Sequence, residues 1–127
     1  MKAITITQMI LRVSGLLVLI LGICFWAGWV QATMAMQGIH ELLGIIVVIS
    51  LWVLGLAQGR LKGGSLGLAI GTFVIGLVVA IFGLSQEHFK TSASIIPVIN
   101  TIHLLLGLLA IGFGEMVGAR GRRLAKA

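Results

Sequence analysis

The chain has no aspartate and no tyrosine, and among its 127 residues there are only three glutamates, one cysteine and one proline. Each shortage closes off a class of protein. Three scattered carboxylates leave little scope for catalysis by paired acids, and no Ser-His-acid or Cys-His set converges, so a stand-alone enzyme with its own nucleophile is the least favoured reading. A single cysteine excludes an intramolecular disulfide. Cys24 lies inside an apolar run, where a low dielectric disfavours the thiolate, and it reads as a small core hydrophobe. Charged residues make up 9% of the chain, against about 25% in a soluble domain, so a water-soluble fold would have little to place on its surface. Apolar side chains are plentiful instead, at 59% with a mean hydropathy of +1.18. The length allows one domain, and the composition makes it an integral membrane domain. The formal charge of +6 is not a nucleic-acid signature, because the basic residues sit at the ends of apolar runs.

Crossing a bilayer takes about 20 mostly apolar residues, and four stretches qualify, at about 9–30, 34–57, 64–90 and 95–118. They are too long, and too weakly alternating, for barrel strands, so the expected fold is all-α, an integral membrane four-helix bundle. The first run exceeds a signal-peptide core in length and is read as a retained span. Lys2, Arg12, Arg60, Lys62, Arg120, Arg122, Arg123 and Lys126 fall at one set of ends and only Lys90 at the other. The positive-inside rule then puts both termini in the cytoplasm (N-in/C-in), as for a protein of a bacterial inner membrane. Trp26 and Trp29 are expected as interfacial anchors. Thr33 or Ser94 is expected to cap spans two and four through its side-chain oxygen, and Pro97 suits a first helical turn.

The two halves of the sequence resemble each other. Gly15 to Gly22 reads like Gly76 to Gly83, and Ile39-His40-Glu41-Leu42-Leu43-Gly44 reads like Ile102-His103-Leu104-Leu105-Leu106-Gly107. The first match has an offset of 61 and the second of 63. Chance matches among Leu, Ile and Val are cheap, so the aligned glycines and histidines carry the information. Gln37 and Asn100 align as well, each three residues before its histidine. A two-span unit enters the membrane twice with the same polarity, which makes a parallel repeat about an axis along the membrane normal. Spans two and four then run the same way, with His40 and His103 about 10–13 Å below the outer helix ends.

An ionisable residue inside a membrane marks a functional hypothesis, although a single histidine more often serves as hydrogen-bonded glue between helices. Two imidazoles at one depth on parallel helices are the axial ligand set of a b-type haem. His40 and His103 are therefore the candidate metal ligands. Gly44 and Gly107, one turn inward on the same face, and Gly22 and Gly83, near the same depth on spans one and three, are candidates for clearance around a flat macrocycle. Plain helix packing is the alternative for these glycines, and the expected role of Gly55/Gly59, Gly67/Gly71 and Gly114/Gly118. Gln37 and Asn100 are candidates for the haem propionates or for orienting bound water, with helix-end solvation as the alternative, and Lys90 is a further candidate for a propionate. His88 reads as solvent-facing. Glu41 points about 100° away from His40 around the helix, toward the outer surface or a quinol proton. Glu115 is expected in an ion pair near Arg120 and Arg122, and Met34, Met36 and Met116 read as packing.

These residues resemble those of membrane b-type cytochromes built on four-helix bundles, such as the haem-binding core of quinol–cytochrome b subunits and the cytochrome b561 group. The resemblance implies one bis-histidine haem b near the outer face, held by His40 and His103 with Gly22 and Gly83 as the clearance glycines. It also implies single-electron transfer between a quinol or membrane redox complex and an outer-side redox protein partner. Two-haem members carry a second histidine pair about thirteen residues further on; Val53 and Met116 stand there instead, so one haem per chain is implied. The competing expectation is an accessory subunit of a respiratory or photosynthetic complex, with histidines that ligate a (bacterio)chlorophyll or nothing. A small transporter ranks third, since the sequence offers it a repeat but neither a buried mid-membrane charge nor a broken helix.

Overall fold

In a bilayer core no water is available to backbone N–H and C=O groups, so an apolar run satisfies them internally by forming a helix. The computed structural model describes all of residues 1–127 and contains four helices and no strand: α1 (Lys2–Trp26), α2 (Met34–Arg60), α3 (Leu66–Phe89) and α4 (Ile96–Lys126). Each is long and apolar enough to cross a membrane. The protein is an integral membrane helical bundle.

Helix ends differ from the hydropathy boundaries because helix propensity and lipid solubility are separate properties. α1 begins at Lys2, well before the apolar run, and stops at Trp26, before Gly28 takes a left-handed φ of 73° in the turn that follows. α4 continues past Gly118 to Lys126, since arginine, lysine, leucine and alanine are good helix formers outside lipid as well. Thr33 caps α2 by accepting from the Met36 N–H. Ser94 does not cap α4: the cap is Ile95, without a side-chain bond, and the Ser94 hydroxyl meets that of Ser92 at 3.1 Å. The first turn of α4 contains Pro97 instead. Ser65, whose capping role the sequence reading omits, accepts from Leu68 N–H at the start of α3.

Successive helices run antiparallel. α1 and α3 each pack against both α2 and α4, α2 and α4 touch across the short diagonal, and α1 and α3 do not meet. Both termini and the α2–α3 turn lie at one end, here called the basic end. There Gly121 of α4 faces Ile4 of α1 and the stem of Gln58 of α2, and Arg120 donates to the Gly63 carbonyl at 3.2 Å. Gln58 is fully buried and closes the α2–α3 turn, donating to the Ser65 carbonyl at 2.7 Å and accepting from the Ser65 N–H.

Lipid tails are as apolar as leucine, so tight packing rather than exclusion from water holds such helices together. Small residues set the closest approaches. Side chains at Gly55, Gly114 and Gly118 would run into Thr72, Leu11 and Gln8 respectively. The core of Ile4, Leu11, Val47, Leu54 and Val117 gathers toward the basic end. Of all buried residues, only Ile99 lies in the third of its helix nearest the opposite end of the bundle, here called the outer end as a label only.

Candidate functional site

The short diagonal brings α2 and α4 together, and each helix carries its histidine in its second turn. The His40 and His103 rings face each other with centroids 6.0 Å apart and planes inclined at 51°. Both residues are half-buried, and the Nδ1 atom of each is buried without a hydrogen-bond partner in the protein. Buried polar atoms are normally paired; here each Nδ1 lies toward a glycine of a different neighbouring helix, Gly22 for His40 and Gly83 for His103, and Gln8 Oε1 and Trp52 Nε1 are buried without a partner as well.

Each imidazole lies against a glycine of the neighbouring helix. A Cβ at Gly22 of α1 would stand 3.1 Å from Cε1 of His40, and one at Gly83 of α3 would stand 3.1 Å from Cε1 of His103. These separations are tight even for a methyl group, so the two glycines allow the imidazoles to lie where they do. Gly44 and Gly107, one turn inward from the histidines, adjoin open space, with nothing within 4 Å of an added Cβ. Two phenylalanines complete the surroundings. Phe25 lies 5.7 Å from His40 at a steep tilt, and Phe82 stacks on His103 at 6.2 Å and on Phe89 at 5.8 Å. Neither is marked by the sequence pattern, although each falls within three residues of Gly22 or Gly83.

The remaining candidates scatter more widely. Asn100 is half-buried and Gln37 exposed, each one turn outside its histidine. Lys90 is engaged by Glu87 at 2.9 Å. Glu41 and His88 are exposed, as are Trp26 and Trp29 at the outer end. No group of three or more His, Cys, Asp or Glu side chains that could hold a metal ion converges anywhere in the bundle.

A second polar cluster lies toward the basic end. Glu115 pairs not with the nearby arginines of its own helix but with Arg12 of α1, through Nε at 2.8 Å and a terminal nitrogen at 2.9 Å. The almost fully buried Gln8 donates to the same carboxylate at 2.7 Å. Arg120 and Arg122 lie one to two turns beyond Glu115 toward the helix end, whereas α1 packs alongside and presents Gln8 and Arg12, four residues apart, on one face. That i,i+4 polar pair within an otherwise apolar stretch is the signal that could have found the cluster. At the positions that the repeat offsets match to Arg12 and Glu115 stand Phe73 and Trp52, and these two rings stack at 4.6 Å between α3 and α2. An ion pair across one helix interface thus corresponds to an aromatic stack across the other.

No protein-family model matches the sequence, and comparison with curated proteins and with solved structures finds no match either.

Proposed function

We propose that the protein is a membrane b-type cytochrome that holds one haem between His40 and His103 near the outer face, and that it carries electrons rather than acting as a stand-alone enzyme. The observation that carries this reading is the facing imidazole pair. The two ring centres lie 6.0 Å apart, so His40 and His103 are the residues that would hold the group between α2 and α4. The open ground beside Gly44 and Gly107 supports the same conclusion.

When bound, haem supplies reversible one-electron chemistry. The chain's own contributions are distinct from it. His40 and His103 each offer a neutral ring nitrogen. Gly22 and Gly83 fix how near the rings approach α1 and α3. Phe25 and Phe82 exclude water from the imidazoles and limit their rotation. Asn100 and Gln37, a turn further out, are placed to donate to carboxylates at the site's outer rim. An equivalent role for Lys90 requires it to leave Glu87.

The finer architecture belongs to the same proposal. The bundle consists of two parallel hairpin repeats, supported by the equal standing of Gly22 to His40 and Gly83 to His103. Both termini face the cytoplasm, supported by the basic residues collected at that end, and the membrane is a bacterial inner membrane. Electrons pass between a quinol or membrane redox complex and a partner on the outer side.

A pyridine haemochrome assay on the purified protein tests the proposal. One haem b per chain is expected, with a low-spin reduced-minus-oxidised spectrum. A chlorin band would replace haem with a (bacterio)chlorophyll, and a colourless protein would leave an accessory membrane subunit. Two haems per chain would contradict the single histidine pair. A reporter fused after Ala127 should be active only in the cytoplasm; periplasmic activity would reverse the orientation.

A further inference from the structure

The basic end carries Lys2, Arg60, Lys62, Arg120, Arg122, Arg123 and Lys126, and its one acid, Glu115, is already occupied by Arg12. A cleft of about 300 Å³ opens there beside α4, lined by Leu68 of α3 and by Met116, Arg120, Arg123 and Leu124 of α4. Its composition is divided. Leu68, Met116 and Leu124 form an apolar wall that continues into the membrane-facing surface, where Met116 is 47% exposed. Arg120 and Arg123, three residues apart, lie on one helix face, with Cβ atoms about 5–6 Å apart. Arg120 is held in place by one bond to the Gly63 carbonyl, which leaves most of its five N–H donors free.

We propose that this cleft binds one anionic phospholipid, with its phosphate between Arg120 and Arg123 and an acyl chain along Leu68 and Met116. Guanidinium groups recognise phosphate oxygens through paired donors, and basic pockets between helices on the cytoplasmic side are suited to acidic headgroups. A soluble phosphate would use the arginines but not the apolar wall. A zwitterionic lipid would use the wall but place its own ammonium among the arginines. An anionic lipid suits both. The site lies at the opposite end of the bundle from the histidines, and nothing in it depends on haem.

Native mass spectrometry of detergent-purified protein, titrated with phosphatidylglycerol or with phosphatidylcholine, tests the proposal. One phosphatidylglycerol per chain should bind in clear preference to phosphatidylcholine. R120Q/R123Q should weaken this by roughly ten- to thirtyfold, as expected when charge-assisted hydrogen bonds to the phosphate are lost. R60Q/K62Q removes the same charge from the same end and should change affinity little. Leu68→Trp, which fills the apolar wall and keeps every charge, should also weaken binding. Equal loss in R60Q/K62Q would reduce the effect to diffuse attraction and overturn the site. So would full competition by glycerol 3-phosphate, or equal binding of phosphatidylcholine. Should R120Q/R123Q not fold, R120K/R123K retains charge without the paired donors and should still weaken binding, and unchanged affinity in it and in Leu68→Trp would overturn the proposal.

Discussion

The two ends of this bundle are built differently. Toward the basic end, α1, α2 and α4 interlock around Leu11, Leu51, Leu54 and Val117, all essentially inaccessible, with glycines admitting Gln8 and Thr72 at close range. Toward the outer end, Ile99 alone is fully buried, the histidines keep unpartnered nitrogens, and Gly44 and Gly107 adjoin open space. The difference teaches that fold and proposed chemistry are separable here. The packed end can hold four helices together while the outer end keeps a geometry that is poor for packing and suitable for a ligand.

The largest effect should come from the outer end and leave the fold intact. His40→Ala or His103→Ala is expected to abolish the low-spin haem spectrum while far-ultraviolet circular dichroism stays that of a helical bundle. If both variants keep a wild-type spectrum, the pair does not bind haem. The converse should hold at the packed end. Leu51→Ala removes a fully buried side chain and should cost about 2–5 kcal/mol in detergent unfolding, with the haem bands unmoved in the protein that remains folded. Loss of both properties together would show that the two ends are coupled.

A smaller effect is expected where outer packing is tight. Gly22→Val or Gly83→Val pushes on an imidazole already 3.1 Å from an added Cβ; overpacking of about 1–3 kcal/mol should appear together with a shifted or broadened haem spectrum. The smallest effect on the fold belongs to Gly44→Leu and Gly107→Leu. With nothing within 4 Å of the new Cβ, the haem-free protein should unfold no more readily than wild type and gain up to about 1 kcal/mol of helix propensity. Haem uptake should nevertheless fall, because the added side chain enters the space beside the ligand. Gly118→Leu reverses this pattern, since its Cβ would lie 2.8 Å from the Gln8 amide carbon: it should weaken the fold and leave the haem bands of the surviving protein unchanged.

Four spans are legible because hydropathy measures what lipid demands, and each of the four helices meets that demand. Helix ends are not legible in the same way. α4 runs on to Lys126 because its last turns still pack, Gly121 on Ile4 and Gln58, with Arg120 bonded to the Gly63 carbonyl, and Ile95 rather than Ser94 begins it because the chain turns through Ser92 to Ile95 before the helix starts. The histidine pair is legible through the matched halves, which bring two residues 63 apart to one depth. Its near neighbours are not, because Phe25 and Phe82 occupy different places in the two halves. The partner of Glu115 is only faintly legible. Arginines close to it in sequence invite pairing, but the chosen one is 103 positions away, marked in the sequence by the i,i+4 spacing of Gln8 and Arg12 alone.

The ion pair and the aromatic stack have a consequence for assembly. If the two hairpins are repeats, as proposed above, the first hairpin of one copy could meet the first hairpin of another. With Arg12 and Glu115 across one seam and Phe73 and Trp52 across the other, such mispairing has a chemical penalty. On the proposed repeat, two first hairpins would set Arg12 against Trp52 and two second hairpins would set Glu115 against Phe73, leaving the cation without its carboxylate and the carboxylate in lipid without its cation. Only the pairing of unlike hairpins joins the two charges.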